Sequence, residues 1–168
     1  MNRKYNLFIF FGIIFTIGIG ILLHFMYEWS GYNSYVGLIS PINESVWEHL
    51  KLLFFPMSFW ILLGSFTLGK NNKNYVCASI LGLISGIILI PVLYYTFTPF
   101  LGRDNMILNI AIFVISICIA FLFMEYILKN FNLRFLNEKT GIFVWEIIFV
   151  LFVLFTLFPP NLPIFHAY

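Results

Sequence analysis

The densest group of side chains that could do chemistry lies in one short segment, residues 41–51. It holds Glu44, Glu48, His49 and Lys51, in a chain with only 10% charged residues and three histidines. If a helix begins at about Glu44, then Glu44, Glu48 and Lys51 fall within roughly 60° of one another on one face. His49 projects about 100° away from Glu48. A shared site for the histidine and the carboxylates therefore requires a second helix.

The second helix that could contribute is the first apolar segment of the chain, which ends near His24 and Glu28. These two residues are four apart, so they lie on one face of a helix. Imidazole and carboxylate groups are ligands for zinc, manganese and iron ions. A divalent transition metal is therefore one candidate cofactor, with ligands drawn from His24, Glu28, Glu44, Glu48 and His49.

The same groups fit three other roles. Glu48, His49 and Lys51 are candidate catalytic residues of a general acid–base site, in which Glu48 exchanges a proton and Lys51 supplies the opposite charge. A protonatable transport site uses the same residue types. The cluster can also be purely structural, with Glu44 capping the N-terminus of the second helix and Glu48 pairing with Lys51.

The elements that must position these residues are apolar helices. Of the 168 residues, 61% are apolar, and the mean hydropathy is +0.96, which excludes a soluble globular protein. A transmembrane helix needs about 20 mainly apolar residues. Five stretches qualify, so the sequence predicts one all-α domain, residues 1–168, that forms an integral membrane bundle of five transmembrane helices in the lipid bilayer. The predicted spans are residues 7–26, 45–68, 75–97, 106–128 and 140–158.

Loop charge predicts the orientation, because Lys and Arg near span ends stay in the cytoplasm. Seven of the nine basic residues fall on one side: Arg3, Lys4, Lys70, Lys73, Lys129, Arg134 and Lys139. We therefore expect a multi-pass protein of the cell (cytoplasmic) membrane, with a cytoplasmic N-terminus, an extracytoplasmic C-terminus and all three histidines on the outer side. A net charge of only +2 argues against nucleic acid as a partner.

Three details concern the packing of the spans and the pairing of charges. Small residues recur in the first and third spans, where Gly82 and Gly86 have GxxxG spacing, so these spans are predicted to make the closest contact. Glu146 lies inside the fifth span, and its expected partner is Arg134 or Lys139, although a proton relay also fits. Arg103 and Asp104 are expected to pair across an outer loop or to close over the Glu48 region.

Two motifs resemble the pattern of a family of small bacterial polytopic membrane proteins of unknown function. The first is the run Asn-Glu-Ser-Val-Trp-Glu-His at residues 43–49, followed by Lys51 and Pro56. The second is the run Phe-Pro-Pro-Asn-Leu-Pro-Ile-Phe at residues 158–165. The resemblance covers the full chain. It implies a fold of about five spans and no established activity, and it singles out Glu44, Glu48 and His49.

The interpretation that these observations favour is an integral membrane protein with an outward-facing Glu/His site. Such a site would bind a metal or a polar head group, as in a membrane-embedded hydrolase or transferase. Two alternatives belong to other classes. One is a small permease or transporter component that works as a homo-oligomer, because five spans hardly enclose a path. The other is a non-catalytic membrane subunit.

Overall fold

The fold is that of a computed structural model, which describes residues 3–101, 105–133 and 138–167. Arg103 and Asp104, the predicted pair of an outer loop, and Arg134, a predicted partner of Glu146, lie outside the described residues. Within those ranges the chain is helical, without strands. The six α-helices are α1 (Arg3–Trp29), α2 (Ser34–Gly37), α3 (Val46–Ser65), α4 (Tyr75–Leu101), α5 (Met106–Asn130) and α6 (Glu138–Leu157), with 3₁₀ turns at Gly69–Asn71 and Pro163–Phe165.

All the helices except α2 are long and apolar enough to cross a membrane. The prediction of an all-helical chain with five such helices is confirmed, and each helix overlaps one predicted span. The chain thus has the helices of a multi-pass membrane protein. Large apolar side chains are exposed along all five long helices, for example Phe10, Phe59 and Ile107. Lipid is the solvent that suits such an apolar surface. A helix can lie in lipid because its backbone groups are hydrogen-bonded within the helix.

Helix α3 lies at the centre of the bundle and is the most buried of the five long helices, whereas α6 is the least buried. It packs against α1 on one side and α4 on another, and α4 packs extensively along α5. Helix α6 reaches α3 mainly through large aromatic side chains. The rings of Phe152 and Phe54 are 4.8 Å apart, and Trp145 Nε1 donates a hydrogen bond of 2.8 Å to Ser58 Oγ.

The small residues do not bring the first and third spans together as predicted. A Cβ placed on Gly20 of α1 would lie 2.7 Å from the backbone oxygen of Leu52 in α3. A Cβ on Gly82 of α4 would lie 2.7 Å from the backbone oxygen of Ala120 in α5. The predicted pairing is wrong because each glycine face admits a different neighbour: α1 packs on α3, and α4 packs on α5.

Helix α1 ends, and α3 begins, at the same end of the bundle, which we call the site end. Gly31, with φ of +70°, reverses the chain after α1, and Tyr32 N donates to Tyr27 O while Gly31 N donates to Glu28 O. This is the Schellman pattern that glycine favours. The C-terminal tail returns to the same end, where Ala167 forms a β-bridge with Ser45 and the rings of Phe165 and Trp47 are 5.0 Å apart.

Candidate metal centre

Three of the predicted site residues meet at the site end: His24, Glu44 and His49. Each offers a ligand atom that lies within 4.8 Å of the other two. The Nε2 atoms of His24 and His49 are 3.2 Å apart. Glu44 Oε2 lies 3.3 Å from His49 Nε2 and 3.9 Å from His24 Nε2. Two imidazoles and one carboxylate therefore converge on one point.

The start of α3 decides where Glu44 goes. Ser45 is the N-cap: its backbone is extended, and its Oγ accepts a hydrogen bond of 3.3 Å from Glu48 N. Ser-x-x-Glu is the capping-box pattern, so this start is encoded locally. Because Glu44 precedes the cap, it lies outside the helix and does not share a helical face with Glu48. It reaches the two histidines instead.

The His49 ring is oriented by its own helix. Its Nδ1 lies 2.9 Å from the backbone oxygen of Ser45. A carbonyl oxygen only accepts hydrogen bonds, so Nδ1 of His49 carries the proton. In a neutral ring Nε2 then presents its lone pair to His24 and Glu44. Metal-ligating histidines are commonly held in this way by a second hydrogen bond to a backbone carbonyl.

The spacing of the three ligand atoms fits a small tetrahedral ion. Zinc binds nitrogen and carboxylate oxygen at about 2.0–2.2 Å, which places neighbouring ligand atoms about 3.3–3.5 Å apart in a tetrahedron. Two of the three distances, 3.2 and 3.3 Å, are close to this value. The third, 3.9 Å from Glu44 to His24, needs a small movement of a side chain that is 67% exposed. The residues present therefore fit zinc.

The cluster is accessible from outside the bundle. The side chains of His24 and His49 are about one-third exposed, at 34% and 29%. Catalytic zinc sites have three protein ligands and one open position, whereas structural sites have four. The three described ligands and their partial exposure match the open type.

Glu48 and Lys51, the other catalytic candidates, turn away from the histidines into the protein. Their side chains are 3% and 0% exposed, and Lys51 Nζ lies 2.6 Å from Glu48 Oε2. Lys51 Nζ also donates to the backbone oxygens of Gly37 at 2.8 Å and Ser40 at 3.3 Å. An ammonium group has three protons, so all its donors are used. Burial without such partners would be very costly for either charge.

The remaining contacts of Glu48 tie three parts of the chain together. Its Oε2 accepts a hydrogen bond of 2.9 Å from Ile42 N, and its Oε1 accepts one of 3.2 Å from Thr156 Oγ1 in α6. Sequence reasoning did not find Thr156, although a polar residue in the otherwise apolar run from Ile147 to Leu157 was a usable signal. Glu48 thereby joins α3, α6 and the connection that carries Glu44.

Ser40, also missed from the sequence, fixes that connection to α1. Its hydroxyl accepts a hydrogen bond of 3.1 Å from Tyr27 N and donates to Leu23 O. In a regular helix Tyr27 N would donate directly to Leu23 O, four residues earlier. The Ser40 hydroxyl lies between these two groups and bonds to both. His24 lies within this turn. The polar contacts of Ser40, Glu48 and Lys51 thus support both the helix that carries His24 and the connection that carries Glu44.

A predicted metal ligand, Glu28, and the third histidine, His166, lie outside the cluster of His24, Glu44 and His49. Glu28 is exposed and is not one of the converging ligands. The third histidine, His166, lies in the tail, with Nε2 2.8 Å from Asn161 Oδ1. Of the five predicted metal ligands, the structure brings together His24, Glu44 and His49, places Glu48 in the buried ion pair and leaves Glu28 at the surface.

Comparison with protein-family models matches the whole chain, residues 1–168, to a family of unknown function, DUF6512. The chain belongs to DUF6512. No curated protein and no solved structure matches it. The match confirms the prediction that a family without an established activity covers the whole chain. A functional proposal for this DUF6512 member therefore rests on the arrangement of its own side chains.

Proposed function

We propose that this DUF6512 member is a multi-pass protein of the cell membrane that binds a divalent transition metal, with zinc the best fit, through His24, Glu44 and His49. The observation that carries the proposal is the convergence of three ligand atoms within 4.8 Å of one another. The hydrogen bond from His49 to Ser45 supports it, because it directs the lone pair of Nε2 toward the cluster.

The partial exposure of the cluster supports a functional rather than a structural metal. A zinc ion with three protein ligands keeps a position for an outside ligand and acts there as a Lewis acid. At the edge of an apolar bundle, the polar group most abundant in reach is a lipid head group. The activity that suits this position is that of a hydrolase or transferase acting on the outer side of the membrane.

Two of the serine hydroxyls within the spans give little support to a transporter. A path across the bundle would need side chains free to contact a solute. Ser58 Oγ accepts from Trp145, and Ser65 Oγ donates to Leu62 O at 2.7 Å. These two hydroxyls are already bonded within the protein, which favours the metal site over a permease.

The experiment that tests the proposal is metal analysis of the protein purified in detergent without chelators. We expect about one zinc ion per chain, lost in His49→Ala and in His24→Ala and strongly reduced in Glu44→Gln. Addition of Zn²⁺ at 100 times its Kd should raise the free energy of unfolding by about 2.7 kcal/mol. Mg²⁺ should give no such increase, because it prefers oxygen ligands in octahedral geometry.

Matched controls come from the same end of the bundle. His166→Ala removes a histidine, and Glu28→Gln removes an exposed carboxylate, yet neither residue is in the cluster. Both variants should retain the wild-type zinc content. Folded wild-type protein that binds no zinc after incubation with the ion would refute the proposal, as would equal loss of zinc in the His166→Ala control.

A further inference from the structure

Glu146 is an acidic residue on the outward face of α6. It is exposed, and on a helical wheel it lies at the centre of a stripe formed by Ile142, Phe143, Phe149 and Val150, within about 60° on either side. All four neighbours are exposed, Phe143 at 61% and Val150 at 57%. A shallow groove beside Glu146 is lined only by residues of α6, so that the described part of the chain gives it no second wall.

Glu146 lies well inside the apolar part of α6. It is the ninth residue of a 20-residue helix, about 12 Å from the helix start at 1.5 Å per residue. A glutamate side chain is too short to reach the membrane surface from this depth, unlike the longer lysine and arginine side chains. Ionisable residues at such depth pair with other polar groups or line a wet cavity.

The described part of this chain supplies no cation for Glu146. No nitrogen of a described Lys, Arg or His lies within 4.0 Å of its carboxylate. Of the two partners predicted from the sequence, Arg134 lies outside the described residues, and Lys139 is two turns earlier on α6, about 10.5 Å along the axis. All side chains of a helix lean toward its N-terminus, so the lean does not close this separation.

Lipid and a second copy of the chain are poor partners for this carboxylate. Cationic lipid groups lie in the head-group region, away from a residue about 9 Å inside the span that begins at residue 140. In a second copy with the same orientation, the described lysine within a span is Lys51, which is 0% exposed, and Lys129 at the end of α5 pairs with Glu125 at 2.6 Å. A second copy would therefore bring another carboxylate rather than a cation.

We propose that the outward face of α6 is the docking surface for a transmembrane helix of another protein that carries a lysine or arginine within its span, at the depth of Glu146. Charge complementarity selects this partner, because the pair forms where water and head groups are absent. The partner must be a helix, since only a helix or a closed barrel satisfies its backbone groups in hydrocarbon. The exposed stripe supplies the apolar surface for helix packing around the ion pair.

The test uses the full chain in phosphatidylcholine vesicles and synthetic single-span peptides of about 22 residues. The peptides are rich in leucine and alanine and carry Lys, Glu or Leu at the central position. Resonance energy transfer between labelled protein and labelled peptide measures association. We expect the Lys peptide to bind wild-type protein at least about 10-fold more tightly than the Leu peptide. Glu146→Gln should remove this preference.

Two further variants make the result specific. Glu138→Gln removes the same charge from the same helix at its first residue, and it should bind the Lys peptide as wild type does. Glu146→Lys should prefer the Glu peptide. Equal binding of the Lys and Leu peptides by wild-type protein would overturn the proposal. Self-association of wild-type protein that is lost in Glu146→Gln would also overturn it, because the face would then belong to a second copy.

Discussion

Glu44 and Glu48 have the same side chain and are four residues apart, yet their surroundings differ completely. Glu44 precedes the cap of α3, is 67% exposed and lies against two histidines. Glu48 is 3% exposed and bonds to Lys51, Ile42 and Thr156. A position outside the helix leaves the first carboxylate free to bind an ion, whereas every contact of the second is directed to the protein itself.

Removing the lysine of the buried pair should destabilise the protein strongly. In Lys51→Met the Glu48 carboxylate stays buried without its cation, so we expect the free energy of unfolding to fall by about 3 kcal/mol or more. The double variant Glu48→Gln/Lys51→Met should recover part of this loss, because no charge is left unpaired. Unfolding by titration with dodecyl sulfate in mixed micelles measures both.

The matched control is the ion pair at the end of α5. Lys129 and Glu125 are also 2.6 Å apart, but the Lys129 side chain is 35% exposed. Lys129→Met should lower the free energy of unfolding by less than about 1 kcal/mol, since exposed pairs contribute little. Equal effects of the two lysine variants would show that the burial of Lys51 carries no special cost.

At the scale of elements, each long helix depends on local composition, but the contacts between helices depend on axial register. Apolar length alone predicts the five spans. The convergence of His24 and His49 requires the end of α1 to meet the start of α3 at one height, which no local pattern specifies. The helix starts at Val46 rather than near Glu44, so Glu44 is not on the predicted helical face, whereas Glu48 and Lys51 stay on it as i, i+3 neighbours.

Close approach of α1 and α3 gives a prediction at the same scale. Gly20→Ala places a methyl group 2.7 Å from the Leu52 backbone oxygen, so the two helices must separate. We expect a loss of about 1–3 kcal/mol. Gly18, two residues earlier in α1, has nothing within 4 Å of an added Cβ. Gly18→Ala should be neutral or slightly stabilising, because alanine favours a helix.

Thermal aggregation midpoints of the two alanine variants in detergent provide the measurement. The midpoint of Gly20→Ala should fall clearly below that of wild type, and the midpoint of Gly18→Ala should not. If both variants behave alike, the close contact at Gly20 does not limit stability.

At the scale of the whole molecule, the charges are distributed unevenly between the two ends of the bundle. Lys70 and Lys73, in the connection between α3 and α4, lie at the end opposite the site end, as does Lys129 at the end of α5. The site end carries the histidine cluster. By the positive-inside rule we therefore propose that the site end faces away from the cytoplasm.

Single-cysteine labelling tests this orientation. In a chain with Cys77→Ala and Cys118→Ala, the only reactive thiol is the one introduced. Tyr35→Cys, at a position that is 84% exposed at the site end, should react with a membrane-impermeant maleimide in intact cells. Lys70→Cys should react only after permeabilisation. The reverse pattern would place the metal site in the cytoplasm.

The bridge between Ala167 and Ser45 has a practical consequence for purification. Ser45 is also the residue whose carbonyl oxygen contacts His49, so Ala167 lies near the imidazole cluster. A polyhistidine tag fused after residue 168 would bring six additional imidazoles close to the metal ligands, where they would compete for the ion and raise the measured stoichiometry. A tag fused before Arg3 would be separated from the cluster by most of the length of α1, which is about 40 Å over 27 residues.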